Sequence, residues 1–147
     1  MPKFDLTGLE AYKSDRDAEK EGIWFVYPNG IKFLMARAGG SNNRYKRMLS
    51  KTLRPHRRVI DQGRMDPDLS DELLRRVYAN TVLLDWEGIK DEKGKSIPYT
   101  PQAGEEFFAA IPELFSELID RATEAQNFVD AEVEEAKEEL GKPSDGK

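Results

Sequence analysis

Cysteine is absent from this chain of 147 residues, and histidine occurs once, at position 56. Without thiols there is no disulfide framework, no thiolate nucleophile and no cysteine-based zinc site. A lone histidine leaves little scope for metal chemistry. Long apolar runs are missing too: none exceeds five residues, against the roughly 20 that a bilayer-crossing helix needs. The opening residues, Met1-Pro2-Lys3-Phe4-Asp5, hold no apolar signal core. Also missing are G-x-S-x-G, a Walker loop, H-E-x-x-H and G-x-G-x-x-G. These absences predict a non-enzymatic protein of the cytosol, folded without covalent or metal staples, with no cofactor and no membrane partner.

Charge, by contrast, is plentiful. Asp, Glu, Lys and Arg make up 35% of the chain, nearly as much as the 38% of hydrophobic residues. The net charge is only −5, but its distribution is lopsided. Residues 37–64 carry nine Lys or Arg against the single acid Asp61, whereas residues 105–140 carry twelve acids against Arg121 and Lys137. Such a charge dipole acts on association more than on folding. Within the basic segment, Arg44, Lys46, Arg47, Lys51 and Arg54 could meet phosphates and Tyr45 could stack on a base. That is the alternative function, a small DNA-associated protein. The remainder of the chain, at −13, would repel a polyanion. A protein partner with an acidic face, or a second copy of the chain, fits the pattern better.

The acids Asp85, Glu87, Asp91 and Glu92 around Gly88 lack EF-hand spacing and read as caps and turn solvation. His56, within Arg54-Pro55-His56-Arg57-Arg58, reads as solvated surface.

The periodicities predict an α+β fold, mainly α: an N-terminal β-hairpin packed with about four helices, the last one long. Residues 1–22 read as a partly ordered lead-in, 23–140 as a single domain and 141–147 as a flexible tail. Apolar runs flank Asn29-Gly30, the pair that best tolerates the positive φ of a tight hairpin turn. Trp24 and Val26 fall on one face of the first strand, Phe25 and Tyr27 on the other. Both faces are apolar, so one should pack on helices and the other should seek a further strand, element or subunit.

Ser41 or Asn42 caps a helix whose stripe is Tyr45, Met48, Leu49, Thr52 and Leu53, stopped or kinked at Pro55. Asp66-Pro67 opens a second helix, with Leu73, Leu74, Val77, Tyr78, Thr81 and Leu84 on one side and Gly88 at its end. Thr100-Pro101 opens a third. Pro112 opens the longest, from Leu114 and Phe115 through Leu118, Phe128 and Val133 to Leu140.

Several strings in order resemble the tail assembly chaperones of long, flexible-tailed phages. They are Gly22-Ile23-Trp24, Ala36-Arg37-Ala38, Asn43-Arg44-Tyr45, Arg54-Pro55-His56-Arg57-Arg58, Asp85-Trp86-Glu87-Gly88 and Ile97-Pro98-Tyr99-Thr100-Pro101, spanning roughly residues 22–120. The resemblance implies a protein of the host cytoplasm, left out of the finished virion. It would coat the tape measure protein until tail tube protein polymerises around it. Many such chaperones are made in two forms, the longer by ribosomal frameshift.

Combined with the charge dipole, this reading predicts self-association into a ring or spiral. It also predicts protein binding through Trp24, Phe25, Tyr27, Arg37, Arg44, Tyr45, Arg47, Arg54, Arg57 and Arg58. Asp85, Trp86, Gly88 and Pro98 are expected to be structural, Trp86 as a core anchor.

Overall fold

The computed structural model describes residues 4–5, 7–9 and 15–128. The chain opens with a short helix, α1 (Arg16–Glu21), where the sequence suggested only a partly ordered lead-in. The Asp15 carboxylate accepts from the amides of Asp17 and Ala18, satisfying donors that a helix start leaves unpaired. Glu19 then reaches into the protein. It is buried, ion-paired with Arg37, and accepts the Ser41 amide at 3.0 Å. Gly40 permits this closure, since a Cβ there would stand 2.5 Å from the Glu19 carboxylate.

Strands β1 (Ile23–Val26) and β2 (Lys32–Met35) form the expected antiparallel hairpin. Asn29 and Gly30 both take positive φ in the turn, at 65° and 77°. A third strand, β3 (Leu83–Glu87), pairs antiparallel with β2, giving the order β1-β2-β3. This corrects the expectation of a helix through Leu84. Helix α4 (Pro67–Thr81) stops earlier, and Val82 already offers its carbonyl to the Ala36 amide at 2.8 Å. A two-stranded hairpin is marginal alone, and the open edge of β2 gains a ladder of hydrogen bonds from the new strand. Gly88 therefore ends a strand, with φ +84°. It lies so close to the hairpin turn that a Cβ would come within 2.5 Å of the Gly30 carbonyl oxygen.

Across the inner face of the sheet, Phe25, Phe33 and Trp86 stand side by side in register, all buried. Helices α4, α5 (Pro101–Ala110) and α6 (Pro112–Thr123) supply the rest of the core, including Tyr78, Phe108, Phe115 and Leu118. Aromatic edges link the layers. Trp86 meets Tyr99 at 4.9 Å and Phe107 at 5.4 Å, Phe108 meets Phe115 at 4.4 Å, and Phe115 meets Tyr78 at 5.6 Å. Tyr78 in turn holds Tyr45 of α2 (Asn43–Leu53) edge-on at 5.6 Å. The helix bearing four of the nine cations of the basic segment is thus pinned to the core by an aromatic contact at its first turn.

Pro55 ends α2 as expected, through a 3-10 turn at Arg54–His56 that leads into α3 (Arg57–Asp61). The last helix differs from expectation: α6 ends at Thr123, and Glu124 leaves the helical region. The Asn127 side-chain amide donates to the Arg121 carbonyl at 2.7 Å. Phe128 turns into the core against Phe25, and its carbonyl accepts from the Asp15 amide. Burying a phenylalanine is worth about 1.5–3 kcal/mol, more than the next residues of a solvated helix would return. The expected continuation through Leu140 lies outside the described residues.

Candidate protein-binding groove

Arg44, Arg47 and Lys51 recur at intervals of three and four, so they share one face of α2. Beside them α2, the turn at Pro55 and helix α4 enclose an open groove of about 790 Å³. Its floor is apolar, made by Met48, Pro55 and the buried Leu73. Its rim is cationic, with Arg44, Arg47 and Lys51 on one wall and Arg76 on the other, and among the described residues that line it none is acidic. Arg44 donates to the Asn80 carbonyl at 3.0 Å, which ties the two walls at one end. Arg76 is shared with Glu72 at 3.3 Å and Glu105 at 3.9 Å. Arg47 and Lys51 make no hydrogen bond or ion pair among the described residues. Guanidinium forks take carboxylates in pairs of hydrogen bonds, and an apolar floor takes aliphatic side chains. The arrangement suits an acidic amphipathic segment.

Asn42 sets the geometry at the tied end. It is buried, its carbonyl oxygen caps α2 by accepting the Tyr45 amide at 3.3 Å, and its amide donates to the carbonyls of Arg37 and Thr81 at 2.8 and 2.9 Å. Behind the groove, burial pushes the Tyr78 hydroxyl well above its ordinary pKa, with the neighbouring Tyr45 hydroxyl adding to the effect. Burial does the same to Tyr99, whose hydroxyl donates to the Ala79 carbonyl.

The residues singled out from sequence fall in separate places. Arg44 and Arg47 line the groove, and Arg54 flanks it beside Lys46 and Arg47. Arg57 and Arg58 are exposed on α3 and do not line it. Arg37 lies outside the groove and is ion-paired with the buried Glu19. Tyr45 packs inward on Tyr78.

For the hairpin the structure decides which face is open: of the residues expected to bind protein, Phe25 is interior and Tyr27, on the same face, is half-buried. Phe25 is only 3% exposed, with the Arg121 guanidinium 4.3 Å above its ring. Tyr27 packs on Phe33, donates to Glu117 at 2.7 Å and accepts from Arg121 at 3.0 Å. The open face bears Trp24, 38% exposed, and Val26, 68% exposed.

Trp86 is buried and its indole donates to the Ile97 carbonyl at 2.7 Å. Asp85 accepts from the Trp86 amide, and Pro98 is exposed between Ile97 and Tyr99. Sequence reasoning missed the second wall of the groove, Leu73, Arg76 and Asn80. Only the pair Arg75-Arg76 on a helix otherwise read for its core stripe hinted at it.

The family model of the YdaY prophage protein matches residues 40–139. The chain belongs to that family. It is therefore a phage-derived protein, and the matched stretch contains α2 to α6 and the whole groove, whereas α1 and the hairpin lie before it. No curated protein and no solved structure gives a match. Among the described residues no helix is long and apolar enough to cross a membrane. No group of three or more His, Asp or Glu among them is placed to hold a metal ion.

Proposed function

We propose that this prophage protein is a tail assembly chaperone, holding segments of the tape measure protein in the groove between α2 and α4. The observation that carries the reading is the coincidence, in one open groove, of an apolar floor and a cationic rim. A tape measure protein is a very long helical chain that must stay soluble until tail tube protein encloses it. An acidic helix face lying against Arg44, Arg47 and Lys51, with its apolar residues on Met48 and Leu73, would be shielded from aggregation. In this reading the protein binds without a catalytic step or cofactor, acts in the host cytoplasm as several copies along one partner, and is left out of the virion.

The test is co-purification with a co-expressed tape measure fragment. Arg44→Glu with Arg47→Glu should weaken recovery most at low ionic strength, where charge is least screened, and should leave the circular dichroism spectrum unchanged. Undiminished recovery by the folded double variant would refute the groove as the binding site. The same cations could instead grip nucleic acid. Four rim contacts would then give a binding constant falling with salt at a logarithmic slope of about −3.6 for duplex DNA. A mobility shift with that slope, and no capture of the fragment, would move the assignment there.

A further inference from the structure

We infer that the solvent face of α2 is an interface between copies of this chain, taking the acidic face of α6 from a second molecule. The inference goes beyond the groove reading: it says how neighbouring copies touch, and it needs no tape measure protein. Helix α2 contains four bases and no acid. Its Tyr45 side packs on the core. On the other side Lys46, Arg47, Ser50, Lys51 and Arg54 border a shallow hollow of about 440 Å³, and all five are exposed. Arg54 keeps helical angles, φ −54° and ψ −46°, so Arg47, Lys51 and Arg54 form one row at intervals of four and three.

Helix α6 carries the same spacing in the opposite sign. Glu113, Glu117 and Asp120 recur at intervals of four and three, all exposed, while Phe115, Leu118 and Ala122 face the core. Arg121, the one base of α6, is turned to the Phe25 ring and the Tyr27 hydroxyl, which leaves the outer face acidic. Glu117 accepts from Tyr27 yet stays exposed. Each row spans seven residues, about 10 Å, so two helices laid side by side and parallel set every cation opposite an acid. Within one molecule no member of either row forms an ion pair among the described residues. Phosphates would answer the charge of α2 alone. The α6 row answers both charge and spacing, and every copy carries both rows. Exposed ion pairs are individually weak, so the contact suits copies already gathered along one long partner, where the effective concentration is on the order of millimolar.

Sedimentation velocity on the full chain at high micromolar concentration reads the contact. In low salt the wild type should sediment faster than a monomer, and it should return to monomer in about 1 M salt, where screening is strong. Lys46→Glu with Arg54→Glu alters the α2 face without touching any groove-lining residue, and Glu113→Lys with Asp120→Lys alters the α6 face. Each pair sets like charges together and should weaken association at least about tenfold, with an unchanged circular dichroism spectrum. An equimolar mixture of the two variants should associate again, since the reversed α2 of one then meets the reversed α6 of the other. Should a reversal lower the melting temperature, the neutral Glu113→Gln with Asp120→Asn should give the same loss. A wild type that stays monomeric in low salt would overturn the inference, as would undiminished association by either folded variant or a mixture that does not recover. Capture of a short duplex DNA by an otherwise monomeric wild type would assign the α2 face to phosphates instead. Because no partner protein is present, failure here leaves the groove reading standing. A tape measure fragment that a self-associating wild type does not capture would refute that reading alone.

Discussion

Phe25 and Val26 are neighbours in β1 that point to opposite sides of the sheet, and the structure predicts opposite consequences for changing them. Phe25 is 3% exposed, with its ring centroid 6.3 Å from that of Phe128 and the Arg121 guanidinium stacked upon it. Truncation to alanine removes the apolar burial, leaves a cavity and strips Arg121 and Phe128 of a contact, for a cost of about 3–5 kcal/mol. A domain of this size has about 5–15 kcal/mol in all.

Val26 is 68% exposed and lies opposite Lys32. Val26→Asp gives up strand propensity worth at most about 1 kcal/mol. It gains an opposite-charge cross-strand pair worth about 0.2–1 kcal/mol, so the net change is small. Urea unfolding followed by tryptophan fluorescence reads both. With a slope of about 2 kcal/mol per molar, the Phe25→Ala midpoint should fall by roughly 2 M and the Val26→Asp midpoint by less than about 0.5 M. Equal losses from the two variants would mean that the hairpin is interior on both sides, and the face assignment would fail.

Two other tests address the core and the groove frame. Burial raises the pKa of Tyr78, Tyr99 and Tyr27, so the folded state holds these protons after the unfolded chain, titrating near 10, has released them. Stability is then full below about pH 10 and falls as pH rises above it. Absorbance titration should show these tyrosines ionising late and together with unfolding, and free titration of all five near pH 10 would contradict their burial. Asn42→Ala should cost about 2–4 kcal/mol by removing a cap and two buried hydrogen bonds. Asn42→Asp, which keeps the cap but loses the donors to Arg37 and Thr81, should also destabilise, and a neutral thermal melt for it would refute the amide's role.

The class of fold was legible because its determinants are local. Asn29-Gly30 between apolar runs specifies a hairpin turn, and Asp66-Pro67 and Thr100-Pro101 mark helix starts by capping chemistry alone. Strand β3 was not, because Leu84 satisfies a helical period and a strand period alike. What decides between them is the open edge of β2, distant in sequence. The end of α6 was hidden for the same reason. Phe128 continues the apolar stripe acceptably, and only Phe25 and the Asp15 amide draw it inward. One wall of the groove could be read from the charges on α2. The other could not, since Leu73 fits a core stripe and no local signal says that its helix lies beside Arg47 and Lys51.

The open sheet face and the groove both leave apolar side chains in reach of solvent, and they differ in how far the described residues cover them. On the open sheet face the Lys32 ammonium lies 5.3 Å above the Trp24 ring and pairs with Glu87 at 3.4 Å, so a cross-strand cation shields the indole and is itself neutralised. Among the described residues the groove has no such cover. Helix α2 contains no fully buried residue, so its apolar stripe is only half covered by its own fold. It is held at its first turns by Asn42, Arg44 and Tyr45, and beyond them Met48 faces Leu73 across open space under Arg47 and Lys51. Apolar area gains about 25 cal/mol per Å² when covered, and cations gain most from carboxylates when water is excluded around them. Both gains await one occupant, an acidic segment with an apolar face, at the groove and not at the sheet.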